Sequence, residues 1–223
     1  MNFLNIHTHS TKNQENEENI YNVIIPNEWD DIDFQFNSSS KYSLGIHPWY
    51  IADIAIDEQL EILKKWATHS SVQFIGEIGL DRLKGASLPM QEKVFIQQIR
   101  IAEELKKPII IHCVRCFSEL VSINKIIRPK VPLIVHGYNA NATIAKTLIE
   151  RGFYLSFGVA LLQEQSNAQK IFSTIPIDKI FLETDDSAIS IQEIYKKASF
   201  LKNISENDLK YSIFTNYSKV INL

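Results

Sequence analysis

The feature that most constrains this chain is a pattern it repeats: a short β-like apolar run closed by a histidine or a carboxylate. Phe3-Leu4-Asn5-Ile6 runs into His7-Thr8-His9, and Ser43-Leu44-Gly45-Ile46 stops at His47-Pro48. Phe74-Ile75-Gly76 ends at Glu77, Ile109-Ile110-Ile111 at His112, Leu133-Ile134-Val135 at His136, and Ile180-Phe181-Leu182 at Glu183-Thr184-Asp185. Two histidines spaced i and i+2 on a strand share one face, roughly 6–7 Å apart. Neutral imidazole is a good ligand for a divalent ion. Of the six histidines only His69, at a predicted helix end, stands outside the pattern. Any one of these residues alone reads as a hydrogen-bonded structural side chain or a cap. All of them at one structural position read as a metal site.

The stretches between these runs have helical spacing. Asp57–Thr68, a long segment from Pro89, Phe117–Ile127, Ala142–Arg151 and two C-terminal segments are predicted helices. Gly152 is placed to end the fourth, and Ser205-Glu206-Asn207-Asp208 to cap the last. Strands are expected at Phe3–His7, Tyr21–Pro26, Ser43–Pro48, Val72–Asp81, Ile109–Val114, Pro132–Gly137, Phe153–Gly158 and Ile180–Asp185. Eight strands alternating with helices predict an α/β fold, a (β/α)8 TIM-type barrel in one domain spanning residues 1–223. Near-continuous apolar strands such as Ile109-Ile110-Ile111 fit burial on both faces. The first crossover, between His9 and Tyr21, is too short for an ordinary helix, so the barrel is expected to be irregular and shortened there. Asn27–Tyr42, acidic and then serine-rich, shows no clear period.

Composition excludes several classes. Hydrophobic residues make up 45% and charged ones 22%, which supports a sizeable core rather than disorder. The net charge of −3 and the absence of a basic block argue against a broad nucleic-acid footprint, although a small metal site that binds one phosphate needs none. The N-terminus lacks the features of a signal peptide and no apolar run reaches membrane-spanning length. The expectation is a cytoplasmic protein, a monomer by default, with no membrane partner. Cys113 and Cys116 are read as two reduced, mostly buried thiols rather than as a redox or zinc pair.

In a TIM-type barrel the strand C-termini converge on the face where active sites form. His7, His9, His47, Glu77, His112, His136 and Asp185 are the polar residues found there. Four histidines with two carboxylates suffice for one or two divalent ions, with a carboxylate bridging. Glu183, two residues before Asp185, shares its strand face, so either could ligate.

These residues carry a resemblance. His7-Thr8-His9, Gly45-Ile46-His47-Pro48-Trp49, Gly76-Glu77-Ile78-Gly79-Leu80-Asp81, Gln91, Pro108-Ile109-Ile110-Ile111-His112-Cys113-Val114-Arg115, His136 and Leu182-Glu183-Thr184-Asp185 are similar, in order and spacing, to the TatD family of metal-dependent hydrolases. The resemblance implies that His7, His9 and Asp185 bind one metal. It further implies that Glu77 bridges to a second ion held by His112 and His136, the ions being magnesium, zinc or manganese. It implies a phosphodiesterase, a deoxyribonuclease of the 3′ exonuclease kind, acting on DNA or a small phosphodiester with metal-activated water. Asp185 and Glu77 would serve the catalytic centre. Arg115 would hold a phosphate oxygen, with His47 and Trp49 as further substrate contacts.

The chain also departs from the family. Asn5 stands where members usually have Asp, and Ser10-Thr11 where a Leu-Asp pair is usual. Asp186-Ser187-Ala188-Ile189-Ser190-Ile191 replaces the usual loop after the metal-site aspartate. Asp186 adds negative charge beside a phosphate site. Two other readings therefore accompany the nuclease: hydrolysis of an amide, ester or lactone on the same centre, and a non-catalytic binding protein on the same barrel.

Overall fold

The structure is a computed structural model that describes residues 1–10, 15–26, 36–52 and 55–222. Eight strands follow one another in chain order in one sheet: β1 (Phe3–Thr8), β2 (Glu17–Ile24), β3 (Lys41–Gly45), β4 (Val72–Asp81), β5 (Ile109–Val114), β6 (Leu133–Val135), β7 (Tyr154–Phe157) and β8 (Ile180–Leu182). Seven α-helices lie between or after them among the described residues: α1 (Ile56–Trp66), α2 (Leu88–Leu105), α3 (Phe117–Ile127), α4 (Ala142–Glu150), α5 (Asn167–Phe172), α6 (Ile191–Lys202) and α7 (Glu206–Ile221). This is the (β/α)8 TIM-type class that the alternating pattern predicts. The irregularity after β1 is also present. Only residues 9–16 separate β1 from β2, yet the two strands pair in parallel, a connection that ordinarily takes a dozen residues or more.

The chain forms two compact units, residues 1–21 with 134–222 and residues 22–133. In the first unit β1 pairs with the chain just beyond β8. Thr8 bridges to Asp185, the His9 N–H donates to the Asp185 carbonyl at 3.0 Å, and the Asp185 N–H to the His7 carbonyl at 3.1 Å. The Asn5 amide ties the same seam, donating to Thr184 Oγ1 at 2.9 Å and accepting from the Thr184 N–H at 3.0 Å. A carboxylate could accept but not donate here, so the asparagine has a structural reason. Tyr195 of α6 is fully buried and donates to the Leu4 carbonyl at 2.9 Å. Ser205 caps α7 by accepting from the Asp208 N–H, and Gly152, at φ +89°, closes α4, both as the sequence predicts.

In the second unit β3, β4 and β5 pair in parallel. Ile109, Ile110 and Ile111 are all fully buried, which is the two-faced burial their run predicts. Two buried glutamines of α2 satisfy backbone groups at strand ends. Gln98 accepts from the Ile46 N–H at 2.8 Å and donates to its carbonyl at 3.0 Å. Gln91 does the same for Asp81 at 2.7 and 2.9 Å. Each amide supplies the donor and acceptor that a neighbouring strand otherwise provides.

Some boundaries differ from expectation. The second strand begins at Glu17 rather than Tyr21, because Glu17-Glu18-Asn19 pair through their backbones with Phe3-Leu4-Asn5 although their side chains look like a loop. Strands β6 and β8 end before His136 and Asp185, so these side chains lie just beyond the ladder. Residues 27–35 of the unreadable acidic stretch lie outside the described residues.

Candidate functional site

In the first unit the β1–β8 seam sets the geometry. His7 is fully buried, and Asp185 Oδ1 lies 3.5 Å from its Nε2 and 3.4 Å from Nε2 of His9. The two rings stand edge to face, 5.1 Å between centroids. Ligand atoms of His7, His9 and Asp185 thus converge as a group that could hold an ion. Asp185 adopts φ +55°, left-handed for a non-glycine residue, and such conformations concentrate at functional sites. His136 lies beside His7 with ring centroids 4.5 Å apart and planes tilted by 51°. Behind it Glu183, fully buried, accepts from the Gly137 N–H at 2.6 Å and lies 3.5 Å from His136 Nδ1.

In the second unit the alternation of β4 puts Glu77, Gly79 and Asp81 on one face. Glu77 Oε1 lies 2.7 Å from His112 Nδ1 and 3.3 Å from His47 Nε2. His47 Nδ1 accepts from the Trp49 N–H at 3.2 Å, so a neutral His47 carries its proton on Nε2 and donates it to Glu77. Nε2 of His112 faces Asp81 Oδ2 at 3.2 Å, and the same oxygen accepts from the Trp49 indole at 2.7 Å. A neutral His112 donates to only one of these carboxylates. With the proton on Nε2 towards Asp81, the usual way a carboxylate orients a metal-binding histidine, Nδ1 and Glu77 Oε1, 2.7 Å apart, would both be acceptors and would need a cation to share. Burial opposes ionisation of Asp81. The Leu83 N–H, the Trp49 indole and His112 outweigh it and hold the carboxyl below its ordinary value.

That balance has a sign that can be read in stability. A depressed carboxyl stabilises the fold above the unfolded pKa and stops doing so as pH falls through the folded one. Asp81→Asn is expected to cost about 1.5–3 kcal/mol at pH 7. In urea titrations the gap from wild type narrows as pH drops below about 4. A gap that stays constant to pH 3 would show that Asp81 acts by shape rather than charge.

The structure therefore brings His7, His9, His136 and Asp185 together in one unit, and His47, Glu77 and His112 in the other. Arg115 follows β5, exposed and at φ +54°, with its carbonyl accepting from Arg82 Nε at 2.9 Å. Trp49 is part-exposed, and Lys84 Nζ sits 3.7 Å above its ring. A base stacking on that face would meet the ammonium first. Asp81 and the Asn5 seam escaped the sequence reading. The i, i+2, i+4 spacing from Glu77 was the available sign for Asp81.

The donor chemistry fits a divalent ion. Imidazole and carboxylate are the ligand types such ions take, and Glu183 Oε2 is buried with no hydrogen-bond partner among the described residues. A carboxylate oxygen in that position calls for a positive partner. Histidine–carboxylate clusters at the strand ends of a (β/α)8 fold define a metal-dependent hydrolase barrel. More specifically, the chain belongs to the TatD related DNase family, whose pattern matches residues 27–222. A protein of Buchnera aphidicola named as a metal-dependent hydrolase is 28% identical over 203 residues, 84% of this chain and 76% of that one. The 3′-5′ ssDNA/RNA exonuclease TatD of Cronobacter sakazakii is 30% identical over 145 residues, 63% of this chain and 55% of the exonuclease. In fold, the chain matches the TatD homologue YjjV of Escherichia coli with a TM-score of 0.82 at 18% identity, covering 99% of this chain and 98% of that one. No helix among the described residues is long and apolar enough to cross a membrane.

Proposed function

We propose that this protein is a metal-dependent phosphodiesterase that cleaves single-stranded DNA or a small phosphodiester, in the manner of a 3′ exonuclease. The observation that carries the reading is the seat of Asp185 Oδ1, within 3.5 Å of both His7 and His9. In this reading His7, His9 and Asp185 hold one divalent ion, magnesium, manganese or zinc. His112 and Glu77 supply donors for a second, and His136 is the further histidine donor beside His7. A bound ion supplies positive charge against the phosphate oxygens and lowers the pKa of a coordinated water.

The chain's own groups do the rest. Asp185, between two imidazoles and part-exposed, is placed to accept a proton from the attacking water. Asp81 fixes His112, so that ring is oriented before substrate arrives, and Glu183 Oε1 lies 3.5 Å from His136 Nδ1. Arg115, exposed just after β5, offers a guanidinium fork to a phosphate oxygen. The exonuclease name of the Cronobacter relative supports a nucleic-acid substrate. The two free thiols suit a reducing, cytoplasmic compartment.

The test is turnover of 5′-labelled single-stranded DNA with magnesium, manganese, cobalt or zinc, run beside a panel of amide, ester and lactone substrates. Arg115→Ala is expected to lower DNA cleavage at least tenfold, about 1.4 kcal/mol of transition-state stabilisation, with no loss on acyl substrates. Failure of all four metals to support DNA cleavage would end the nuclease reading.

A further inference from the structure

We propose that Lys84, seated on Trp49 beside the His47, Glu77 and His112 cluster, is a second phosphate contact for the substrate. Its presence makes the site prefer a strand of several phosphates to a diester with one. This role rests on the nuclease reading, which leaves open whether the substrate is a strand or a small phosphodiester.

Everything that places Lys84 lies in the second unit. The loop between β4 and α2 is fixed through its backbone. The Leu83 N–H donates to Asp81 Oδ1 at 2.8 Å, and the Ala86 N–H to the Pro48 carbonyl at 3.3 Å. Buried Gln91 donates to the carbonyls of Lys84 and Ala86 at 3.2 and 2.7 Å. From this loop Lys84, exposed, sets its ammonium 3.7 Å above the Trp49 ring. The ring is itself held. Its indole N–H donates to Asp81 Oδ2, the oxygen that faces His112. Its centroid lies 4.8 Å from that of His47 and 5.9 Å from that of His112. The ammonium therefore stands one ring away from two histidines of the cluster.

The kind of contact decides what Lys84 can do. A carboxylate partner neutralises a lysine, whereas an aromatic ring holds the cation through its quadrupole and leaves the charge in place. That hold is weak at an exposed position, and a charge-assisted hydrogen bond to phosphate is stronger. A phosphate oxygen arriving over Trp49 thus draws the ammonium to itself. Arg82, the other cation near this end of the loop, is engaged elsewhere. Its guanidinium pairs with Glu119 and donates from Nε to the Arg115 carbonyl at 2.9 Å, so it braces the turn that carries Arg115. Lys84 and Arg115 then offer two cations on the chain that follows β4 and β5. A neutral ester or lactone uses neither, a diester with one phosphorus uses one, and a strand uses both.

Binding can be measured without turnover. The probe is fluorescein-labelled octathymidylate with phosphorothioate linkages, which resist cleavage, bound to the full chain in manganese and followed by anisotropy over a range of salt. Lys84→Gln is expected to weaken binding about fivefold or more at low salt. It should also flatten the slope of log affinity against log salt by about 0.7, the value for one cation on a single strand. Lys84→Arg should keep both. Lys125→Gln removes an exposed charge from the last turn of α3, away from the strand ends, and should leave the slope unchanged. In turnover, the ratio of KM for octathymidylate to KM for bis(p-nitrophenyl) phosphate should rise about fivefold in Lys84→Gln. An unaltered slope in folded Lys84→Gln, an equal change in Lys125→Gln, or failure of the wild type to bind the strand would each overturn the contact. DNA cleavage with an unaltered slope would strike Lys84 alone. A Lys84-dependent slope in a protein that cleaves no DNA would keep the contact and end the nuclease reading.

Discussion

Exchanging Asp185 for asparagine is expected to lower divalent-metal affinity and DNA hydrolysis by about 100-fold or more each, since even outer partners of metal ligands are worth 10–100-fold. The substitution is chosen for its backbone. Asp185 sits at φ +55°, a region that asparagine tolerates and alanine does not. Its N–H and C=O hold the seam with His7 and His9, and asparagine keeps both. What changes is one negative charge, placed 3.5 Å from His7 and 3.4 Å from His9. The melting temperature should therefore hold while metal content falls. Elemental analysis and calorimetry with manganese or zinc, beside the nuclease assay, check this. Metal retained at wild-type affinity would remove Asp185 from the ligand set and leave it at most a proton acceptor.

The architecture and the site were unequally legible in the sequence, for physical reasons. Val72–Asp81 and Ile109–Val114 read as the strands they are because both faces are buried, so almost every position had to be apolar. Phe117–Ile127 read as its helix because one face packs and the other is wet. Glu17–Ile24 was found only in part. It begins with backbone pairing among polar residues, and a hydrophobicity pattern cannot report that. The histidines were conspicuous because imidazole at a strand end recurs too often to be scatter. Their supports were not. Asn5 and Gln98 act by donating and accepting across the fold, from positions far from their partners in the chain. Nothing in local spacing announces that Asn5 meets Thr184.

Gly79→Ala is expected to cost about 3–5 kcal/mol, the sum of an overpacked contact and a left-handed backbone forced on a side chain. For a chain of this size that is a drop of roughly 10 °C in melting temperature. Gly79 lies at φ +144°, and a Cβ there would stand 2.1 Å from the His112 carbonyl oxygen. That oxygen belongs to β5 and is held in the sheet, so relief must come from parting β4 and β5 where Gly79 pairs with His112. The flanking residues on the same face are Glu77 and Asp81, whose carboxylate oxygens lie 2.7 and 3.2 Å from the two ring nitrogens of His112. Parting the strands thus breaks the site as well as the packing, and metal content should fall with stability. Gly152→Ala separates the two causes. Gly152 also has positive φ, +89°, but nothing lies within 4 Å of its added Cβ. It should cost only the backbone penalty, about 1–2 kcal/mol, with metal binding intact. Equal losses in the two variants would show that conformation alone demands glycine at position 79. A larger loss at 79, accompanied by lost metal, would show that the close approach of β5 is what the glycine permits.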